Sequence, residues 1–316
     1  MKFPVFDLHC DTALALLGDE YIDCGSLREN NKHIDLNRAG TLPGYAQFFA
    51  CFTTTDPDVS KISPVDIFER ELTTIMREVE QNSDIIRIAY SAEEIEENKN
   101  NGLMSAILSI EGPAGFGFDP ALLEDLYNVG FRMTTLGWNE CNPLAGSHLT
   151  GGGLTDLGRE YIKEAQRLGI LVDVSHVSDE AFWDIMEITQ GPIVASHSNS
   201  RTIHNVSRNL TDDMFRAICE TKGVAGINLY ADFLSNNPTL DAVCQHIEHF
   251  MELEPAGKCI SLGGDLDGCE RLPAGFEGIQ NYPELADSLL SHGFSEAVIF
   301  DLFWNNAIEV LKRCSI

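Results

Sequence analysis

The sequence predicts an α/β protein folded as a single (β/α)8 barrel of the TIM type over residues 1–316, on three observations. Short apolar runs alternate with longer amphipathic ones, the signature of repeated βα units, and there are eight such runs. No Pro/Ser-rich linker or low-complexity tract divides the series. Several apolar runs finish on His, Asp or Glu, as barrel enzymes do when they gather functional groups from many strand ends onto one face. An open doubly wound sheet shares the first two features, and the third favours the barrel.

In chain order, strands are expected at "PVFDLH" (4–9), "YAQFFACFT" (45–53), "LMSAILSI" (103–110), "RMTTLGW" (132–138), "ILVDVSH" (170–176), "PIVASHS" (192–198), "VAGINLY" (224–230) and "CISLGGD" (259–265). Helices are expected at 64–82, 119–129, 156–168, 179–190, 211–221 and 239–253, then at 283–291 and 295–313 after the last strand. The stretch "LTGGGLTDLG" reads as a loop entering a helix, with Thr155 or Asp156 as its cap.

Composition narrows the partners. Asp and Glu number 49 against 21 Lys and Arg, a formal charge of −28 that repels phosphate backbones and anionic lipid headgroups. Neither nucleic acid nor a membrane is expected as a partner. Nine cysteines are scattered without a C-x-x-C pair, several inside apolar runs such as "FFACFTT", which suits buried thiols in a reducing compartment. The N-terminal stretch lacks the pattern of a secretory signal and no segment approaches 18 uninterrupted apolar residues, so a cytoplasmic location is expected.

The strand-end groups carry the chemistry. His9 and Asp11 close the first strand, where side chains at i and i+2 of an extended chain project together. Glu111 closes the third, His176 the fifth, His197 the sixth and Asp265 the eighth. Any one of these alone reads as a hydrogen-bonded structural residue. Together, three imidazoles and three carboxylates at one barrel mouth would pay a heavy desolvation cost unless a cation met them. Nitrogen and oxygen donors without thiolates point to a catalytic site for zinc or a similar divalent ion. Six groups exceed what one catalytic metal takes, so two ions are inferred, with Glu111 the bridging carboxylate. His33, His204, His246, His249 and His292 follow no apolar strand, and most of them are expected at the surface.

With these residues in place, the sequence resembles the membrane dipeptidase (renal dipeptidase) family of the amidohydrolase superfamily. "DLHCDT", "IEG", "GILVDVSHVS", "PIVASHSNSR", "SRNLTDD" and "GGDLDG" match its motifs in order. The resemblance implies that His9, Asp11 and Glu111 hold one zinc and Glu111, His176 and His197 another. It implies that Asp265 takes a proton from the shared, activated water and passes it to the leaving amine. It also implies that Arg208 grips the substrate carboxylate and that Tyr230 lines the pocket. For Arg208 the residues leave a second reading open, a surface ion pair to Asp212 or Asp213. The implied substrate is a small dipeptide, including ones with a C-terminal D-residue, and the implied assembly is a homodimer.

The sequence departs from the family at one point. Animal members end the fourth strand with a histidine that helps bind the substrate carbonyl, whereas this chain has Trp138 and Asn139 there. Trp138 N–H, Asn139, a metal ion or the loop residue His148 are the candidates to substitute. That departure keeps two alternatives open: a metal-dependent hydrolase of another small amide, ester or lactone, and a barrel that binds peptide or metal without turnover. The membrane of the family name is not expected to carry over, since the C-terminal residues of this sequence form no apolar tail.

Overall fold

The computed structural model describes residues 3–18 and 24–314. Its strands are β1 (Val5–Cys10), β2 (Tyr45–Phe52), β3 (Ile86–Ile88), β4 (Met104–Glu111), β5 (Phe131–Thr135), β6 (Leu171–Asp173), β7 (Ile193–Ala195), β8 (Val224–Ile227) and β9 (Ile260–Leu262). All pair in parallel in the order β2-β1-β9-β8-β7-β6-β5-β4-β3, and the β2–β4 pairing closes the ring. The eight-stranded barrel is therefore present, and β3 is an addition to it. Residues 104–106 of β4 pair with β3 and residues 108–110 with β5, while β2 runs along the other edge of β4. The three-residue "IRI" of β3 is too short to register as an apolar run, and the helix Ala92–Asn100 after it is polar on most sides.

The period-2 pattern of the strands sorts their side chains into two layers. Phe6, Leu8, Phe48, Ile107, Met133, Leu171, Val194 and Val224 form one cluster together with Trp304, Ile308 and Leu311 of the C-terminal segment. Alternate positions such as Val5, Phe49, Leu108, Val172, Ile193 and Ile260 pack against the surrounding helices. Those helices start where capping chemistry says they should. Ser63, Thr155, Ser178, Thr211 and Thr239 each accept a backbone N–H from the first turn of the helix that follows.

Helix bounds differ from expectation by more than one residue at three places. A 3₁₀ turn (Pro120–Leu122) precedes the helix Leu123–Val129, a π-helical turn (Asp301–Asn305) interrupts the C-terminal helical segment, and the helix beginning at Asp179 ends at Ile188. His246 is fully buried, against the general expectation for the remaining histidines. Its Nδ1 accepts from Ser200 N and its Nε2 donates to Leu234 O. Among the described residues no helix is long and apolar enough to cross a membrane, and all nine cysteines are free thiols.

Candidate metal centre

Several strands stop short of the polar residue that sequence periodicity assigns to them, and the cause is local. Asp173 Oδ1 accepts the N–H groups of Ser175 and Ser196, each at 2.9 Å, so these donors leave the sheet ladder. Strand β6 ends there, and His176 sits three residues on in a left-handed conformation (φ 71°). Asp7 acts similarly at the first strand, accepting His9 N and Gly264 N and also the hydroxyl of Tyr282. Between the Asp7–Gln47 and Cys10–Phe49 pairs β1 carries one extra residue, Leu8 and His9 standing against Phe48 alone. Neither Asp7 nor Asp173 stands out in the sequence as a site residue. Their signal is a carboxylate in the middle of an apolar strand, which a barrel accepts only when backbone donors meet it.

The six strand-end groups do converge, and all are buried: His9 1%, Asp11 6%, Glu111 3%, His176 7%, His197 0% and Asp265 9% exposed. His9 Nε2 lies 3.4 Å from Asp11 Oδ2, 3.3 Å from Glu111 Oε2 and 3.9 Å from Asp265 Oδ1. Glu111 Oε1 lies 2.9 Å from His176 Nε2 and 3.7 Å from His197 Nε2. The His9 and His197 rings stack with centroids 3.9 Å apart.

The Nε2 atoms of His176 and His197 face one another at 3.0 Å. Each ring's other nitrogen is already committed. His176 Nδ1 donates to Asn139 Oδ1 at 3.0 Å. His197 Nδ1 is 2.6 Å from Ser196 Oγ, whose own proton goes to Asp173, so His197 must be the donor. Both Nε2 atoms therefore bear lone pairs, and two lone pairs cannot hydrogen-bond. Burial pulls both rings well below the ordinary imidazole range, and the positive charges of His9 and Arg208 add to this, which disfavours a proton between them. A cation satisfies the arrangement.

Other observations agree. His9 Nε2 and Asp11 Oδ1 are buried without a hydrogen-bond partner. Ligand atoms of His9, Glu111 and His197 lie within 4.8 Å of one another, as do those of His9, Asp11 and Asp265. A Cβ on Gly268 would stand 2.0 Å from Asp11 Oδ2 and 2.5 Å from Asp265 Oδ1, so glycine keeps that space open. Burial raises the carboxyls first: Glu111 is pushed up to about 7 and Asp265 to about 6, each partly offset by His9. Burial alone would lower His9, but the Glu111 and Asp11 carboxylates carry it well above the ordinary range. Carboxyls pushed up beside two imidazoles pushed down mark a cluster whose charge balance a cation completes.

A cavity of about 490 Å³ opens over the cluster, lined among others by Asp11, Glu111, His176, Arg208, Tyr230 and Asp265. Arg208 is 5% exposed; its Nη1 donates to Ser198 Oγ and its Nη2 to His197 O, and its Nε has no partner. The surface-pair reading fails, because Asp212 bonds Thr202 and His249, and Asp213 bonds Arg216. Among the described residues no carboxylate forms an ion pair with Arg208. Tyr230 also lines this cavity, half-buried, with its hydroxyl donating to Asp232. Trp138 lies on the wall edge-on to Phe52, and Asn139 lines it while engaged with His176 and His148. Asn228, for which the sequence gives no signal, donates to Asp265 Oδ2 at 3.0 Å and fixes that carboxylate.

The chain is similar to known proteins over nearly its whole length. The profile of the membrane dipeptidase family, peptidase family M19, matches residues 1–315. A Schizosaccharomyces pombe protein named as an uncharacterized dipeptidase is 31% identical over 304 residues, covering 90% of this chain and 73% of its own length. A second S. pombe protein of that description is 33% identical over 216 residues, 66% of this chain, which thus spans about half (53%) of that relative. A metallo peptidase from Rhodobacter sphaeroides, solved with a phosphinate mimic of the dipeptide L-Ala-D-Ala, superposes with a TM-score of 0.87 at 24% identity, covering 99% of this chain and 100% of that one. This likeness speaks for the barrel fold. The whole-length profile match and the relatives above 30% identity go further: this chain belongs to the membrane dipeptidase family.

Proposed function

We propose that this protein is a zinc-dependent dipeptidase that hydrolyses the single amide of a small dipeptide bearing a free C-terminal carboxylate. The observation that carries the reading is the division of Glu111 between two groups of donors, Oε2 toward His9 and Oε1 toward His176 and His197. In this reading His9, Asp11 and Glu111 hold one zinc, and Glu111, His176 and His197 the other. Bound zinc supplies Lewis-acid polarisation of a carbonyl and a water acidic enough to ionise near neutral pH.

The chain's own residues do the rest. Asp265 serves as general base and then acid. Asn228 holds its Oδ2, leaving Oδ1 on the side of His9, and a carboxylate beside bound dications would stay ionised and free to take the proton. Arg208, buried without a carboxylate partner, pairs with the substrate's C-terminal carboxylate, a group that short peptides present and internal peptide bonds do not. Tyr230, Trp138 and Asn139 form the wall of a cavity whose volume suits two residues. The dipeptide mimic held by the R. sphaeroides relative supports this substrate class, including a D-residue on the C-terminal side. The reading extends to one barrel domain over residues 1–316.

The test is a panel of L-L, L-D and D-D dipeptides run beside lactones, esters and N-acyl amino acids with zinc-loaded protein. Turnover of dipeptides above the others supports the reading. Turnover of lactones or esters alone moves the same centre to another hydrolase, and binding without any turnover removes catalysis.

A further inference from the structure

His176 lies beyond the end of β6, beside an isolated Ser147–Val177 bridge, so the barrel ladder does not orient its ring. A line of polar contacts from the loop after β5 does so instead. Asn139 Oδ1 receives His176 Nδ1–H at 3.0 Å and also faces His148 Nε2 at 2.8 Å. His148 Nδ1 stands 2.8 Å from Ser207 Oγ, and the His148 backbone N–H donates to His176 O at 2.8 Å. The loop itself is tied down, since Ser147 Oγ donates to Asn139 O at 2.5 Å. Resting on the metal-centre reading above, we propose that Asn139 and His148 are positioning residues that hold His176 as its Nδ1–H tautomer with Nε2 turned to Glu111, and that Ser207 joins this line to the loop carrying Arg208.

Three physical points support the assignment. An imidazole ligates a metal through one nitrogen only if the other keeps its proton, and an acceptor such as the Asn139 amide oxygen secures that proton. A neutral imidazole has one N–H, and each His148 ring nitrogen faces a polar atom, Nε2 the Asn139 oxygen and Nδ1 the Ser207 hydroxyl. If Nε2–H goes to Asn139, Nδ1 must accept, and the Ser207 hydroxyl is placed to donate. Both ring nitrogens are then used, and His148 has no free donor for the substrate carbonyl. Ser207 is the immediate neighbour of Arg208, so the line runs from a metal ligand to the residue proposed to grip the carboxylate.

Titration of metal-free protein with Co(II), against a competing chelator and by visible absorption, tests this. Asn139→Leu should weaken one of two Co(II) sites about 10- to 100-fold and change the Co(II) spectrum, whereas Asn139→Asp, which keeps an oxygen acceptor, should recover most of the loss. His148→Leu should give a smaller loss that His148→Gln reverses, and the Asn139→Leu/His148→Leu double variant should match Asn139→Leu alone, since His148 acts through Asn139. If Asn139→Leu fails to fold, the His148 pair carries the test by the same readouts. Wild-type affinity and spectrum in Asn139→Leu, or additive losses in the double variant, would overturn the positioning role alone. A wild-type chain that takes up no Co(II) would overturn both this role and the function it rests on.

Discussion

Glu111 Oε2 lies 3.3 Å from His9 Nε2, while its other oxygen is turned to His176. One carboxylate at the end of β4 thus serves both halves of the site. Without a cation that arrangement favours protons: Glu111 is pushed up to about 7 and Asp265 to about 6, chiefly by burial, and the neighbouring carboxylates hold His9 well above its ordinary value.

The sign of the pH dependence follows. Groups whose values lie above the pH of the solution are protonated in the metal-free chain, and metal must displace those protons. Zinc affinity should therefore fall by at least about tenfold between about pH 8 and about pH 6. Calorimetry in buffers of different ionisation enthalpy should read more than one proton released per chain at the lower pH. Affinity independent of pH over this range would contradict the picture.

Asp265→Asn keeps the shape of the side chain and its neighbour Asn228 but removes the base. We expect kcat to drop by about 10²- to 10⁴-fold with metal content unchanged. Elemental analysis and dipeptide kinetics on the same preparation check this. Near wild-type turnover, or loss of metal, would refute the role given to Asp265.

Arg208→Met retains bulk against Phe233, over which the guanidinium lies at 5.6 Å, and removes the charge. KM for dipeptides should rise about 10- to 100-fold, the worth of a charged hydrogen bond, with a lesser effect on kcat. A C-terminally amidated dipeptide should be handled about equally by both proteins. An unchanged KM for free dipeptides would remove the carboxylate from this position.

Gly112, directly after Glu111, adopts φ 78°, and a Cβ there would stand 2.1 Å from Thr53 O. Gly117 has a similar φ of 68°, but a Cβ at that position would meet nothing within 4 Å. Denaturant unfolding should show Gly112→Ala costing about 2–4 kcal/mol, from strain plus overlap, and Gly117→Ala about 1 kcal/mol, from strain alone. Equal costs would show that the backbone contact behind Glu111 is soft.

Much of the site is legible in the residues themselves. His9, Asp11 and Glu111 stand at the ends of long apolar strands, and the spacing places them without ambiguity. His176, His197 and Asp265 read as strand-end groups, although their strands stop two or three residues earlier. Periodicity does not show this, because the stops before His176 and His197 go with Asp173 capturing the N–H groups of Ser175 and Ser196, and the one before Asp265 with Asp7 capturing Gly264 N–H. The roles of Ser196, Asn139 and Asn228 are hidden for the same reason. Each is defined by a partner distant in the chain or by a ring tautomer, and neither leaves a mark in spacing.

The most direct test of the central claim is anomalous diffraction from crystals of the zinc-loaded protein, read beside elemental analysis of the wild type and of Glu111→Ala. Two ions per chain, one beside His9 and Asp11 and one beside His176 and His197, with both lost in Glu111→Ala, is the predicted result. A single ion, or a pair that persists in Glu111→Ala, would contradict it.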